Sequence, residues 1–319
     1  MITLHRYAKL VAACTILLIA AGGMVTSTDS GLAVPDWPNT YGRFMFFFPF
    51  EKMIGGIFYE HGHRMIASTV GFLTIILAIW TWRVEPRRWV RWLSVAALGA
   101  VVLQGVLGGL TVLFLLPPPV SIGHAALAQM FLCLTISLAV FTSPRWIAAA
   151  NPVDDPRLRR LAATTTAIVY GQILLGATMR HTGAGLAIPD FPLVFGGLLP
   201  PSWTAPVAVH FAHRVGALVV TGAVLLTTAR VWRYKDRPEL IRPAFALAVF
   251  LCIQIALGAA VVLTGLQPVV NTAHVVNGAL VLGSALVLTL GSFRPVFDRA
   301  LQRTARPVAS VARPLGARS

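Results

Sequence analysis

Charge is scarce in this chain of 319 residues, and negative charge is the scarcer kind. Charged residues make up 12% of the sequence, about half of the ~25% usual for soluble globular domains. Only 11 residues are Asp or Glu, against 26 Lys and Arg, so the formal net charge is +15. This charge is too little to cover a soluble enzyme, and a hydrophobic content of 56% excludes a disordered chain. A membrane protein with an excess of positive charge remains.

Cysteine is also rare, which excludes a disulfide scaffold. The three cysteines are Cys14, Cys133 and Cys252, and each lies inside an apolar run. We therefore interpret them as small core residues.

Long apolar runs are abundant, and a helix needs about 20 such residues to cross the hydrocarbon core. Eight runs predict an all-α polytopic membrane protein with eight transmembrane helices, near 8–28, 64–83, 92–114, 122–142, 159–179, 208–230, 242–264 and 272–292. His5, Arg6 and Lys9 precede the first run, as in a signal peptide. That alternative is disfavoured because the first run has a counterpart later in the chain.

The basic residues fall almost entirely on one side of these spans. All but five of the 26 lie at the N-terminus, in the loops after spans 2, 4 and 6, or in the tail; the five are Arg43, Lys52, Arg64, Arg180 and Arg214. The positive-inside rule then places both termini on the cytoplasmic side. The excess charge is a topology signal that needs no nucleic-acid partner. The basic tail, 293–319, is expected to be poorly ordered and to lie near anionic membrane lipid.

The chain repeats itself, which predicts a 4+4 duplication. The segment GLAVPDWP at 31–38 returns as GLAIPDFP at 185–192. Three further pairs share an offset of 150: His63-Arg64 with His213-Arg214, Gln104 with Gln254, and His124 with His274. We expect two pseudo-symmetric four-helix bundles in one orientation, at 1–150 and 151–292.

The repeated histidines predict heme ligation. His63, His124, His213 and His274 fall at the outer ends of spans 2, 4, 6 and 8, at similar depth. Two facing helices of one bundle can then hold a heme between two imidazoles. A lone histidine at a helix end is usually only an interfacial polar residue, and a non-heme metal lacks accompanying carboxylates or cysteines.

Neighbouring residues refine this hypothesis. Arg64 and Arg214 follow a ligand histidine in both halves, either to reach the interface or to pair with heme propionates. Glu60 precedes His63 by three residues, where the second half has His210, so one half alone has a carboxylate that can accept a proton.

Two repeated motifs favour structural roles. The loop segments read as rigid turns that form a lid over each heme edge, in which Asp36 and Asp190 are structural. Gln104, Gln172 and Gln254 lie in Q-x-x-L-G patterns, which we interpret as packing signals with a buried hydrogen bond rather than as direct cofactor contacts.

Taken together, these motifs resemble the heme A synthase family. The resemblance rests on the two loop segments, on E-x-x-H-R at Glu60, His63 and Arg64, and on His124, His213-Arg214 and His274, and it covers nearly the whole chain. It implies oxidation of the methyl group of heme O to the formyl group of heme A by successive hydroxylations, with water as the expected oxygen source.

The resemblance also implies a role for each residue. Heme O would bind in the first bundle at His63 and His124 with Arg64, with Glu60 as the catalytic acidic residue. A heme b cofactor would be held in the second bundle by His213 and His274 with Arg214. Heme O synthase and the terminal oxidase assembly machinery are implied as partners, the bacterial cytoplasmic membrane as the location, and a homo-oligomer stays open.

One departure concerns the first outer loop, where many bacterial members carry two cysteines. This sequence has none between Thr26 and His63, so the exit route of electrons is open. Two other classes compete. A non-catalytic diheme b-type cytochrome needs the same histidines but no asymmetric Glu60. A 4+4 transporter would be expected to carry polar residues at the middle of the bilayer.

Overall fold

The computed structural model describes residues 2–148 and 152–305, with side chains as far as Phe297. The described residues are helical apart from loops, 3-10 turns and two isolated bridges. The helices are α1 (Ile2–Ser27), α2 (Gly56–Val84), α3 (Arg88–Leu113), α4 (Pro118–Phe141), α5 (Pro144–Ala148), α6 (Pro156–His181), α7 (Ala205–Val231), α8 (Pro238–Leu263) and α9 (Pro268–Ala305). Within this part of the chain, eight helices are long and apolar enough to cross a membrane. The predicted all-α, polytopic fold class is confirmed.

Proline starts many of these helices. α4, α6, α8 and α9 begin at a proline, and α7 has one at its second position, where a missing N–H costs no hydrogen bond. Asp155 caps α6 by accepting from the N–H groups of Arg157 and Leu158. Each long helix begins three to eight residues before the apolar run that predicts it. An apolar run marks only the part of a helix that crosses the hydrocarbon core. The first turns of these helices lie in less apolar sequence, so the runs do not include them.

The helices form two adjacent four-helix bundles. In the first, α1 contacts α2 and α4, and α3 contacts α2 and α4. In the second, α6 contacts α7 and α9, and α8 contacts α7 and α9. The bundles meet where α1 and α4 contact α9, and where α4 contacts α6. Ile19, Leu132 and Ala279 form a small apolar core at this junction. Descent of the two bundles from a duplication stays an inference from sequence, as does the side on which the termini lie.

The end of α9 corrects the expected start of the basic tail. The helix runs on to Ala305, past the predicted boundary at 293. Phe297 stacks on Trp89, and Arg294 lies over the ring of Trp146 and donates to its carbonyl oxygen. Aromatic packing against the first bundle therefore orders the stretch that follows the last apolar run. Residues 306–319 lie outside the described part of the chain.

Candidate functional site

The first outer loop folds around the carboxylate of Asp36. Its two oxygens accept from the N–H groups of Tyr41 and Gly42, both at 2.8 Å. Tyr41 and Gly42 have positive φ angles of 49° and 71°, as a tight two-residue turn requires. Burial alone would raise the pKa of Asp36, but the two N–H groups and the nearby Arg64 outweigh it and lower that pKa. Asp36 is thus a structural residue of the loop.

The second outer loop repeats this arrangement. Asp190 accepts from the N–H groups of Phe195 and Gly196, again at 2.8 Å. Those two residues have φ angles of 53° and 77°. The N–H of Gly196, followed by that of Phe195, holds the pKa of Asp190 below its usual value. The structural role expected for both aspartates agrees with this geometry.

Arg64 holds the first loop against α2. Its Nη1 donates to the carbonyl oxygens of Asp36 (2.7 Å) and Asn39 (2.9 Å). Its Nη2 donates to the carbonyl oxygen of Val34 (2.9 Å) and to Glu60 Oε1 (2.6 Å). All four terminal N–H donors of the guanidinium are thereby used. The predicted pairing with a heme propionate therefore competes with the loop for this side chain.

Arg214 does the same in the second bundle. It donates to the carbonyl oxygens of Leu193 (2.7 Å), Asp190 (2.6 Å) and Ile188 (3.2 Å), and its guanidinium lies over the ring of Phe191. In both loops the acceptors are backbone carbonyls. Because any residue supplies a carbonyl, sequence reasoning missed this role, although the repeated His-Arg pair marked both positions.

Glu60 and His210 occupy matching places beneath the two loops. The N–H of Val34 donates to Glu60 Oε2 at 2.7 Å, and the N–H of Ile188 lies 3.3 Å from His210 Nδ1. Both side chains are buried, with exposed fractions of 3% and 2%. The helices extend far enough to include both residues, as the i, i+3 argument required. The second bundle therefore has the imidazole of His210 at the place where the first bundle has the carboxylate of Glu60.

The four predicted ligands lie about two turns into their helices, deeper than the first turn expected from sequence. His63 (α2) and His124 (α4) are on diagonally opposite helices of the first bundle. His213 (α7) and His274 (α9) have the same arrangement in the second bundle. The structure thus places both members of each predicted pair in one bundle.

A glycine of the adjacent helix faces each imidazole. A Cβ added at Gly22 or Gly176 would lie 3.0 Å from Cε1 of His63 or His213, respectively. A Cβ added at Gly108 or Gly258 would lie 3.1 Å from Cε1 of His124 or His274. Any larger residue would press on the ring, so each imidazole occupies space that only a glycine leaves free.

Glutamines contact three of the four rings. The amide nitrogen of Gln104 lies 3.3 Å from His124 Nε2, that of Gln254 lies 3.2 Å from His274 Nε2, and that of Gln172 lies 3.1 Å from His213 Nδ1. These glutamines were predicted to make buried hydrogen bonds, and their partners are the histidines themselves. Leu18 stands at the position of the first repeat that matches Gln172, so His63 has no glutamine there.

These residues fit heme. His63, His124 and His274 each keep a buried Nδ1 without a hydrogen-bond partner, as polar atoms do where a ligand completes the site. Two imidazoles per bundle form the donor set of a bis-histidine heme. Among the described residues, no group of three or more His, Cys, Asp or Glu is arranged to hold a non-heme metal.

Arg180 was not assigned a role from sequence, yet it joins the two bundles at the end that carries the two loops. It donates to the carbonyl oxygen of Gly23 (2.9 Å) and to Ser27 Oγ (2.7 Å), both on α1. Ser27 Oγ in turn lies 3.1 Å from Thr272 Oγ1 on α9. The only available signal was that Arg180 is one of five basic residues on the otherwise weakly charged outer side.

Fold and site together define a class, a polytopic helical membrane protein with a histidine pair in each of two bundles. Residues 47–286 match the family model described as cytochrome oxidase assembly protein. Three relatives named heme A synthase are similar over most of their length. That of Halalkalibacterium halodurans is 30% identical over 85% of this chain and 92% of its own. That of Symbiobacterium thermophilum is 32% identical, over 77% and 81%. That of Shouchella clausii is 30% identical, over 82% and 87%. The chain belongs to the heme A synthase family.

Proposed function

We propose that this protein is a heme A synthase that oxidises a methyl group of heme O to the formyl group of heme A. The conversion of CH3 to CHO with oxygen from water consumes one H2O and releases four protons and four electrons. The site must therefore bind a heme as substrate, receive protons, and pass electrons onward. The observation that carries the proposal is that Glu60 and His210 lie beneath equivalent loop amides, those of Val34 and Ile188, so one histidine pair has a carboxylate beside it and the other does not.

We assign the substrate to the first bundle, between His63 and His124. A substrate must enter and leave, so its ligands need not be held as firmly as those of a resident cofactor. Both cofactor histidines have a glutamine at the ring, whereas His63 has Leu18 at the corresponding place. This difference supports substrate exchange in the first bundle and permanent binding in the second.

Glu60 is the residue that can receive the protons. It is buried, and its two oxygens are held by the N–H of Val34 and by Arg64, so the carboxylate has a fixed position. A fixed carboxylate near the substrate serves as a general base. Arg64 then has two roles, since it keeps the loop closed and holds Glu60 in place.

The second bundle is proposed to hold heme b, which His213 and His274 would bind while Arg214 keeps the loop over it. When bound, heme b would supply a one-electron redox centre there. The chain's own residues orient it: Gln172 and Gln254 fix the imidazole rings, and Asn277 fixes Gln254 by donating to its Oε1 at 2.7 Å.

Replacing Glu60 by glutamine tests the proposed activity. Glu60→Gln keeps a hydrogen-bonding group of the same size but removes the base, so heme A should fall by at least about tenfold while heme O accumulates. The matched control is His210→Gln, which alters the equivalent place in the second bundle. Hemes extracted from cells that supply heme O give the readout. Normal heme A without accumulated heme O in Glu60→Gln would overturn the role.

The near identity of the two histidine sites favours one other candidate, a diheme b-type cytochrome that only transfers electrons. Each ring has the same glycine contact in both bundles. This candidate predicts that purified protein contains heme b alone, whatever heme O is supplied. Heme O or heme A in the extract would exclude it.

The family and the fold support a proposal for the location and the partners of the protein. The chain is an integral, multi-pass membrane protein, and its named relatives are bacterial, so we place it in the bacterial cytoplasmic membrane. We propose a heme O synthase as the supplier of its substrate and terminal oxidase assembly as the consumer of its product.

A further inference from the structure

A groove of about 250 Å3 runs along the membrane-facing side of α2 and α3 in the first bundle. Gly71 and Gly105 lie in its walls, and a Cβ added at either would meet nothing within 4 Å. Ile75, Val102 and Val106 border it and are exposed on the helix surface. The groove is therefore open to the hydrocarbon core, and its depth comes from the missing side chains.

The upper end of the groove adjoins the proposed substrate site. Trp37, from the first loop, lines the groove and packs directly on α3, since a Cβ at Gly109 would lie 2.5 Å from its indole ring. On the neighbouring face of the same turns, Gln104 and Gly108 contact His124. From Leu98 to Val106 the groove follows α3 for about 12 Å at 1.5 Å per residue.

The second bundle lacks the residues that give the groove its depth. At an offset of 150, Thr221 replaces Gly71 and Ile255 replaces Gly105. Under the second loop, Ala259 replaces Gly109 and Phe191 replaces Trp37. The small residues thus belong to the bundle that also has Glu60.

We propose that this groove binds the farnesyl chain of heme O and thereby distinguishes the substrate from heme b. The proposal rests on the function proposed above, because heme O carries a hydroxyethylfarnesyl group where heme b carries a vinyl group. The groove is apolar and lies on the same turns of α3 that contact His124, which suits an isoprenoid attached to a bound porphyrin. Its lining has no charged or carboxamide side chain for a phospholipid headgroup or a quinone ring.

The test fills the groove with the residues of the second bundle. Gly71→Thr combined with Gly105→Ile adds side chains into open space, so the protein should fold and keep its heme b. The control is Gly222→Ile, which repeats the larger of the two substitutions on an exposed face of α7 with nothing within 4 Å. Full-length protein with heme b already bound is titrated with heme O and, separately, with further heme b, followed by absorbance.

Wild type and Gly222→Ile should bind heme O more tightly than heme b by about tenfold or more, because the farnesyl group buries apolar surface in the groove. The groove-filled variant should bind the two hemes about equally. If the wild type shows no preference, or if the variant keeps it, the proposal is wrong. A variant that keeps the preference but loses electron transfer to added quinone would assign the groove to a quinone, which also overturns it.

Heme A formation by the wild type is measured in parallel and separates the two proposals. If the wild type forms heme A and the groove-filled variant still prefers heme O to heme b, the proposed role of the groove is wrong and the proposed function stands. If the wild type forms no heme A but prefers heme O to heme b, and the groove-filled variant loses that preference, the proposed function is wrong and the proposed role of the groove stands.

Discussion

At the scale of single residues, three glutamines set the orientation of three histidine rings. Each glutamine side chain joins two helices of its bundle, as Gln254 on α8 does with His274 on α9. The amide nitrogen of each glutamine donates to a ring nitrogen and so fixes the direction of the imidazole. Removing such a neighbour of a metal-binding histidine typically costs 10–100-fold in affinity.

Replacing Gln254 by leucine should therefore weaken heme b binding by about 10–100-fold, with little change in protein yield. Leucine keeps the volume but cannot contact the ring nitrogen. Gln129→Leu is the matched control, since Gln129 is a buried glutamine of α4 whose Oε1 has no hydrogen-bond partner. The absorbance of heme b per protein during dilution measures the effect. Equal retention by both variants would contradict the role.

Replacing the histidines one at a time tests which bundle holds which heme. His213→Ala and His274→Ala should abolish bound heme b, because one imidazole of its pair is lost. His63→Ala and His124→Ala should keep heme b but yield no heme A. Heme content is measured after extraction from purified protein. The reverse pattern would exchange the roles of the two bundles.

Sequence identified the residues that carry unusual chemistry at this scale but not their contacts. The four histidines and Glu60 were found because they repeat, or conspicuously fail to repeat, at a fixed offset. The partners of Arg64 were not found, because carbonyl oxygens of Val34, Asp36 and Asn39 have no signature in the sequence.

At the scale of elements, the start of α6 is built on one carboxylate. Asp155 caps the helix and also accepts from Arg230 Nε (2.7 Å) and from the hydroxyl of Tyr234 (2.9 Å), at the far end of α7. The Arg230 hydrogen bond, with smaller contributions from Tyr234 and the N–H groups of the cap, holds the pKa of Asp155 well below its ordinary value. One side chain thus ties the beginning of one helix to the end of the next.

This lowered pKa gives a stability that depends on pH. The folded state favours the charged form, so the stabilisation is complete above the ordinary aspartate pKa of about 3.9 and is lost as pH falls further. Asp155→Asn keeps the cap but loses the charge, and should lower the thermal midpoint at pH 7 by about 2–4 °C.

The difference between Asp155→Asn and wild type should shrink as pH falls below about 4, because the unfolded wild type then takes up a proton at Asp155 while the folded protein still holds that carboxylate charged. Asp236→Asn, at an exposed aspartate between α7 and α8, serves as the control and should change the midpoint little. Thermal unfolding in detergent at several pH values gives the data. An unchanged difference across this range would contradict the argument.

Element existence was easier to predict than element ends. Eight apolar runs gave eight long helices, because crossing a bilayer demands length and low polarity. The extension of α9 to Ala305 was missed, since the packing of Phe297 on Trp89 depends on the tertiary structure.

At the scale of the whole molecule, the unequal distribution of basic residues between the two sides of the membrane predicts the orientation of the protein. If it sets the orientation, reporters fused after Lys235 and at the C-terminus should report a cytoplasmic location. Reporters inserted after Pro49 and Pro200 should report the outer side. Paired reporters, one active only inside and one only outside, make the measurement. An outer C-terminus would invert the arrangement and put both heme sites on the cytoplasmic side.

Each loop and the helix turn it covers come from one short stretch of chain. Arg64 binds carbonyls only 25 to 30 residues before it, and Arg214 binds carbonyls 21 to 26 residues before it. Segments 31–64 and 185–214 therefore each supply their own loop, their own arginine and their own ligand histidine. A chimera that carried segment 31–64 in both bundles would retain the contacts within the segment but would need Ala259→Gly, because Trp37 packs where a Cβ at Gly109 would lie 2.5 Å from its ring.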